Sequence, residues 1–238
     1  MLELFTPQFY VAVLQIVIID ILLGGDNAVV IALACRRLPA RQRNRGIFWG
    51  VVGAVVLRII LIFFALKLLA LPFLKIVGGL LLLWIGIKLL LPEHDGHHEV
   101  ASSDSLWGAV KTIIVADAVM SLDNVIAVAA AAHGHMLLVV CGIAISIPII
   151  VWGSKLVMAL MDRFPLVITL GGGLLGWIAG GMIVTDIWIK PHLAAYPSWL
   201  HYCTSAAGAL FVIAVGSLLA KRKTAITAAP LEKPAQGD

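Results

Sequence analysis

Charged residues are scarce in this chain: they make up 13% of its 238 residues, against 61% hydrophobic residues, and the mean hydropathy is +1.05. So little charge excludes an intrinsically disordered chain and argues against a water-soluble domain. An α-helix needs about 20 apolar residues to cross a bilayer, and runs of that length recur along most of the sequence. The composition therefore predicts an integral membrane protein with a single transmembrane domain.

Cysteine is scarce as well, and its placement argues against a thiolate metal centre. Cys35, Cys141 and Cys203 stand singly in or beside apolar runs, without CxxC spacing, which predicts a packing role. The N-terminus lacks a basic cluster and a small-residue cleavage pattern, so no cleaved signal peptide is expected. The net charge of +4 comes mainly from basic residues between and after the apolar runs, which indicates membrane topology and not a nucleic-acid partner.

Seven apolar runs predict an all-α polytopic membrane protein with seven transmembrane helices. Their approximate limits are 9–35, 46–70, 72–91, 106–132, 136–160, 165–187 and 200–220. Five arginines lie between the first two runs, and Lys221, Arg222 and Lys223 follow the last. Because basic segments stay in the cytoplasm, we expect the N-terminus outside and the C-terminus inside. The transmembrane domain then covers about 1–222, and a disordered cytoplasmic tail covers 223–238.

The connection at 92–105 is predicted to be a cytoplasmic loop rich in histidine and acidic residues. Its first half contains Glu93, His94, Asp95, His97, His98 and Glu99. Such side chains can bind a divalent metal weakly, but a flexible, glycine-containing segment lacks the geometry of a structural site. A solvated linker and a metal-sensing loop both stay open.

One polar motif interrupts the apolar runs twice. DILLGGDN at 20–27 and DAVMSLDN at 117–124 share the pattern D-x5-DN at a separation of 97 residues. The polar residues of the two motifs are Asp20, Asp26, Asn27, Asp117, Asp123 and Asn124. An aspartate in the middle of a membrane helix costs about 2.5 to 3.5 kcal/mol. Four such residues therefore predict a functional polar site.

The repetition extends beyond the motif, because a GG-x4-WI segment follows each copy, at 78–85 and 171–178. The chain is therefore predicted to contain repeat one at about 8–91, repeat two at about 106–187 and a seventh helix at about 200–220. Three spans per repeat make the second copy enter the membrane from the opposite side, so the pair forms an inverted repeat. The two motifs can then meet near the middle of the bilayer.

The spacing within the motif predicts a local break in the first helix. Asp20 and Asp26 lie about 120° apart around an ideal α-helix, so they do not share one face. Gly24 and Gly25 lie between them and permit a break that redirects the second carboxylate. The second copy has Ser121 at this place, which can offer a hydroxyl instead.

The donor atoms of the two motifs are carboxylate and amide oxygens, which suit Mn²⁺, Ca²⁺ and Mg²⁺. The six polar residues of the motifs are therefore predicted to bind a divalent cation as cargo, and no prosthetic group is expected. Arg58 is predicted to be a counter-ion in this site, while Lys155 either joins it or reaches the membrane interface. The charge left in an empty site favours exchange of the cation for protons.

DILLGGDNAVVIALA and DAVMSLDNVIAVAAA, the arginine-rich connection and the GG-x4-WI segments resemble the TerC family of integral membrane proteins over about 8–220. The resemblance implies a Mn²⁺ exporter of the bacterial inner (plasma) membrane and a link to tellurium resistance. The acidic motif residues of the family correspond to the six polar residues named above. The expected partners are the lipid bilayer, a divalent cation and protons, with a homo-oligomer left open.

The alternatives to Mn²⁺ export are an intramembrane protease, a membrane assembly or stress-complex partner, and a Ca²⁺/proton exchanger. LGGD at 23–26 resembles the GxGD motif of intramembrane aspartyl proteases, but that chemistry needs two carboxylates sharing a proton, so the duplicated set argues against an enzyme. A membrane assembly or stress-complex partner would tolerate Asp26→Asn and Asp123→Asn, because a buried amide costs less than a buried charge. A Ca²⁺/proton exchanger would use the same ligands.

Overall fold

The computed structural model describes residues 7–69, 71–91, 102–131, 136–190 and 199–228. Within these ranges the chain forms seven α-helices and no β-strand, which confirms the predicted all-α class. The helices are α1 (Pro7–Cys35), α2 (Ala40–Leu69), α3 (Leu74–Leu90), α4 (Ser102–Ala131), α5 (Met136–Arg163), α6 (Leu166–Val184) and α7 (Trp199–Ala228).

Three helices extend beyond the apolar runs that predicted them. α2 begins at Ala40, so most of the arginine-rich connection is helical. α4 begins at Ser102, inside the predicted 92–105 loop, and α7 continues to Ala228, inside the predicted tail. Hydropathy misses these turns because they are polar, although serine favours helix starts and alanine, arginine and lysine favour helix interiors. The remainder of the loop, with its histidine and acidic cluster, and positions 229–238 lie outside the described residues.

Among the described residues, four helices are long and apolar enough to cross a bilayer, and α1 provides a fifth if its two arms form one span. α1 bends by 49° between Phe9–Ile21 and Gly25–Cys35, at the place where the sequence predicts a break. The corresponding stretch of α4, which lacks the glycine pair, is part of one continuous helix. The count of seven spans, which adds α3 and α4, stays a prediction.

Large apolar side chains are exposed on the outside of all seven helices. Examples are Tyr10, Phe63, Trp84, Trp107, Trp152, Leu170 and Leu210. A water-soluble monomer rarely exposes so much apolar surface, whereas lipid tails solvate it without cost. The exposed surface therefore fits a protein surrounded by lipid.

Two pairs of helices make matching contacts. α2 packs against α4, and α5 packs against α1. A Cβ atom added at Gly50 of α2 would lie 3.2 Å from the Cβ of Ile113 on α4, and one added at Gly142 of α5 would lie 2.8 Å from the Cβ of Ile16 on α1. Ile16 and Ile113 are 97 residues apart, which is also the separation of the two motifs.

A second pair of matching contacts joins α3 to α6. A Cβ atom added at Gly79 would lie 2.7 Å from Cγ1 of Ile183, and one added at Gly172 would lie 2.7 Å from Cγ of Leu90. Gly172 lies 93 residues after Gly79, and Ile183 lies 93 residues after Leu90. The glycines allow α3 and α6 to approach closely at two corresponding points.

The N-terminus of α3 is capped from a distant part of the chain. Asp186, just after α6, is buried, and its carboxylate accepts the backbone N–H groups of Phe73 at 3.2 Å, Lys75 at 3.1 Å, Ile76 at 3.4 Å and Trp188 at 2.8 Å. Burial alone would raise the pKa of Asp186, but these four donors outweigh it and hold the pKa below its ordinary value. Asp186 thereby joins the end of α6 to the start of α3.

Candidate cation site

Arg58 of α2 connects the two motifs. Its guanidinium donates from Nη1 to Oδ1 of Asp20 on α1 and from Nη2 to Oδ1 of Asp117 on α4. All three residues are buried, with exposed fractions of 3% for Asp20, 5% for Arg58 and 6% for Asp117. Arg58 is therefore a counter-ion of an aspartate of each motif, as its depth in the second span predicts.

Two serine hydroxyls occupy the remaining carboxylate oxygens. Ser146 of α5 donates to Oδ2 of Asp20, and Ser121 of α4 donates to Oδ2 of Asp117 at 3.3 Å. Ser121 also accepts a hydrogen bond from Nε of Arg58 at 3.1 Å. The hydroxyl predicted for Ser121 thus supports the second motif, and every oxygen of Asp20 and Asp117 has a partner.

The rest of the first motif is less satisfied. Asn27 is 3% exposed, and neither its Oδ1 nor its Nδ2 has a hydrogen-bond partner among the described residues. Oδ1 of Asp26 is also buried without a partner there. Leaving such atoms without partners costs about 1–3 kcal/mol each, so they favour an additional ligand, water or an ion.

A small cavity of about 20 Å³ opens beside these groups. Asp20, Asn27, Arg58, Asp117 and Ser146 supply its polar lining. A space of this size holds about one water molecule, and a cation would have to lose its hydration shell to enter it. The cavity thus combines buried carboxylates and an unpartnered amide oxygen around room for a single small ligand.

The apolar lining of the cavity follows the same correspondence as the helix packing. Val51, Ala54 and Arg58 on α2 line it, and so do Ile143, Ser146 and Ile150 on α5. Each α5 residue lies 92 positions after its α2 counterpart, which is also the separation of Gly50 and Gly142. Arg58 therefore corresponds to Ile150, so only one of the two repeats supplies an arginine.

The other predicted site residues differ in burial and in their contacts. Asn124 is half-buried on α4 and has a partner, whereas the side chain of Asp123 lies outside the described part of the chain. Lys155 is exposed on α5 and has no ion pair within the described ranges, which fits the interface and not the site. No three His, Cys, Asp or Glu side chains among the described residues form a group that can hold a metal ion.

Sequence reasoning did not identify Ser146 as a site residue. Its signal is weak, because one serine in an apolar helix more often satisfies its hydroxyl on its own backbone. The correspondence between α2 and α5 indicates it, because Ser146 lies 92 residues after Ala54 and both residues line the cavity.

The exposed apolar surface, the spans and the buried polar cavity define a multi-pass α-helical integral membrane protein. The chain belongs to the integral membrane protein TerC family, whose model matches residues 5–224. It is 51% identical over 179 residues to the uncharacterized membrane protein YjbE of Bacillus subtilis, covering 75% of this chain and 82% of that protein.

Two more distant relatives each match about two thirds of the chain. Identity is 28% over 160 residues to the uncharacterized membrane protein YceF of Bacillus subtilis, covering 63% of this chain and 62% of YceF. Identity is 25% over 176 residues to the inner membrane protein YgdQ of Escherichia coli K12, covering 67% of this chain and 74% of YgdQ. No solved structure matches the chain.

Proposed function

We propose that this protein exports a divalent metal cation, Mn²⁺ in the first place, across the bacterial inner membrane. The observation that carries the proposal is the cavity in which Asp20 and Asp117 converge beside the unpartnered amide oxygen of Asn27. A buried set of carboxylate and amide oxygens suits a hard divalent cation. Mn²⁺ and the outward direction rest on the resemblance to the TerC family.

The ligand set of the proposal comprises Asp20, Asp26, Asn27, Asp117, Asp123 and Asn124. Asp20, Asn27 and Asp117 line the cavity, and Asp26 adjoins Asn27. Asp123 and Asn124 join by analogy between the two motifs. The ligands come from both repeats, so a relative movement of the repeats would open the site to either side.

An inverted repeat is part of the proposal, because it gives the two motifs equivalent access to the two membrane faces. Its support is the matching of Gly50 on Ile113 with Gly142 on Ile16, and of Gly79 on Ile183 with Gly172 on Leu90. A pseudo-two-fold axis relates each helix of the first repeat to a helix of the second, so each contact between two helices has a counterpart at a fixed distance along the chain.

Proton exchange completes the proposed cycle. Asp20, Asp26, Asp117 and Asp123 with Arg58 leave three negative charges, of which one divalent cation neutralises two. Lys155 does not enter this count, since it is exposed. When the metal leaves, buried carboxylates in a poor dielectric favour protons, so two protons are proposed to return for each metal ion.

The test is uptake of ⁵⁴Mn²⁺ by inside-out vesicles, with Ca²⁺ and Mg²⁺ as competitors. Wild type should take up Mn²⁺, and Asp26→Asn and Asp123→Asn should abolish uptake while the protein still inserts. Asp162→Asn, at an exposed aspartate beside Arg43, is the matched control. Uptake by both variants at the wild-type rate would leave an assembly or stress-complex role, and preferential Ca²⁺ uptake would identify a Ca²⁺/proton exchanger.

A further inference from the structure

We infer that Arg58 is a tethered substitute for the transported cation: its guanidinium occupies Asp20 and Asp117 when the site is empty, and the entering metal must displace it. This inference rests on the proposed function. Arg58 and the metal ion then compete for Asp20 and Asp117, which the ligand set alone does not require.

Every carboxylate oxygen of this pair already accepts a hydrogen bond. Oδ1 of Asp20 and Oδ1 of Asp117 accept from Arg58, and their Oδ2 atoms accept from Ser146 and Ser121. A cation coordinated by either aspartate therefore competes with these donors for the negative charge. The cavity of about 20 Å³ admits a metal ion only without its hydration shell, and Arg58 lines that same space, so the two positive charges would repel each other at close range.

The geometry of arginine suits this substitution. A guanidinium is planar and always charged, and it bonds two carboxylates through separate nitrogen atoms. Arg58 thereby joins α1, α2 and α4 in one closed arrangement of the empty site. A lysine would place a single ammonium between the same aspartates and could not reproduce both contacts.

The asymmetry of the two repeats supports a specific role for Arg58. Its counterpart Ile150 lines the same cavity but has no charge, so one guanidinium serves both aspartates. Two arginines would neutralise the pair completely and leave little attraction for a metal ion. One arginine leaves a net negative charge on the pair, which keeps the site attractive to a metal ion.

The inference separates two kinds of flux. Return of the empty carrier requires Arg58, because otherwise one more buried carboxylate lacks a counter-charge. Exchange of one Mn²⁺ ion for another does not require Arg58, because the site then holds a metal ion each time it moves between the two membrane faces. Arg58→Gln should therefore reduce net Mn²⁺ efflux about tenfold or more, retain Mn²⁺/Mn²⁺ exchange within about threefold, and bind Mn²⁺ more tightly.

The experiment uses the full chain in proteoliposomes at one pH with a clamped membrane potential. Net ⁵⁴Mn²⁺ efflux and ⁵⁴Mn²⁺/Mn²⁺ exchange are compared for wild type, Arg58→Gln and Lys155→Gln, which removes an exposed positive charge outside the cavity. The double variant Arg58→Gln/Asp117→Asn removes one charge of each sign, so it should recover the wild-type ratio of net efflux to exchange at lower Mn²⁺ affinity. It also covers the case that Arg58→Gln fails to fold.

Each outcome is decisive. Loss of net efflux with retained exchange, and recovery of the ratio in the double variant, supports the substitution. Equal losses of efflux and exchange in Arg58→Gln, or a double variant whose ratio does not recover, overturn it and leave Arg58 as a structural brace while export stands. Unchanged efflux in Arg58→Gln also overturns it. If wild type carries no Mn²⁺ in either assay, the proposed function itself fails.

Discussion

Ser146 of α5 donates its hydroxyl to the carboxylate of Asp20 on α1, at the oxygen that Arg58 leaves unoccupied. The hydroxyl thereby fixes the Asp20 carboxylate beside the cavity that both residues line. Its counterpart on α2 is Ala54, which has no hydroxyl, and the Asp117 carboxylate is supported instead by Ser121 of α4.

Ser146→Ala should therefore weaken metal transport without unfolding the protein. We expect the KM for Mn²⁺ to rise about threefold to tenfold, which corresponds to the loss of one hydrogen bond to a charged group. Ser154→Ala is the matched control, because Ser154 is also buried on α5 and shares with Ser146 a hydrogen bond to the carbonyl three residues earlier, while the contact with Asp20 belongs to Ser146. Equal KM values for the two variants in a vesicle uptake assay would contradict a role for Ser146 in the site.

Asp186 should contribute to stability through the start of α3. Asp186→Ala removes the acceptor of four backbone N–H groups and should lower the free energy of unfolding by about 1–3 kcal/mol. Asp186→Asn keeps one acceptor oxygen and should cost less. Tryptophan fluorescence during thermal unfolding in detergent measures both, with Asp162→Asn as an exposed control.

The same carboxylate predicts an acid dependence. The pKa of Asp186 is lowered in the folded protein, so its stabilisation is present above the unfolded-state pKa of about 3.9 and is lost as the pH falls through the lower folded value. The difference in unfolding temperature between wild type and Asp186→Asn should shrink when the pH falls from about 6 to about 3. A constant difference over that range would mean that the charge of Asp186 does not stabilise the helix start.

Much of this fold can be predicted from sequence because lipid imposes one simple rule: apolar runs form helices. The break in α1 was also predictable, since Gly24 and Gly25 separate two carboxylates that an ideal helix would direct apart. The polar ends of α2, α4 and α7 were not, because hydropathy does not register helical turns made of serine, arginine and alanine.

The candidate site was predicted in its acids but not in its arrangement. Repetition of D-x5-DN pointed to Asp20 and Asp117, and depth in the second span pointed to Arg58. No pattern in the sequence indicated that one guanidinium would join both carboxylates, because such a contact depends on how α1, α2 and α4 approach each other. Lys155 shows the same limit: its charge is visible in the sequence, but its exposure is a property of the packing.

The paired glycine contacts should respond alike to mutation. Gly50→Ala and Gly142→Ala each place a methyl group against an isoleucine of the other repeat, so both should destabilise the protein by about 1–3 kcal/mol. Ile113→Val should partly rescue Gly50→Ala because it removes Cδ1, and Ile16→Ala should reduce the cost of Gly142→Ala because it removes Cγ2. Gly108→Ala is the control, because a Cβ there meets open space and should be neutral or stabilising in α4. Rescue by the non-matching isoleucine would contradict the correspondence of the repeats.

Proton coupling follows from the uncompensated negative charges of the metal-free site. Proteoliposomes are loaded with equal Mn²⁺ on both sides, the membrane potential is clamped, and a pH difference is imposed. Protons leaving the acidic side drive metal into it, so Mn²⁺ should accumulate on the acidic side. At two protons per metal ion the ratio approaches about 100-fold for each unit of pH, because each proton contributes a factor of about ten. Asp26→Asn should abolish the accumulation and Lys155→Gln should leave it intact. If the Mn²⁺ ratio does not change with the pH difference but does change with an imposed membrane potential, the protein is a uniporter and not a proton exchanger.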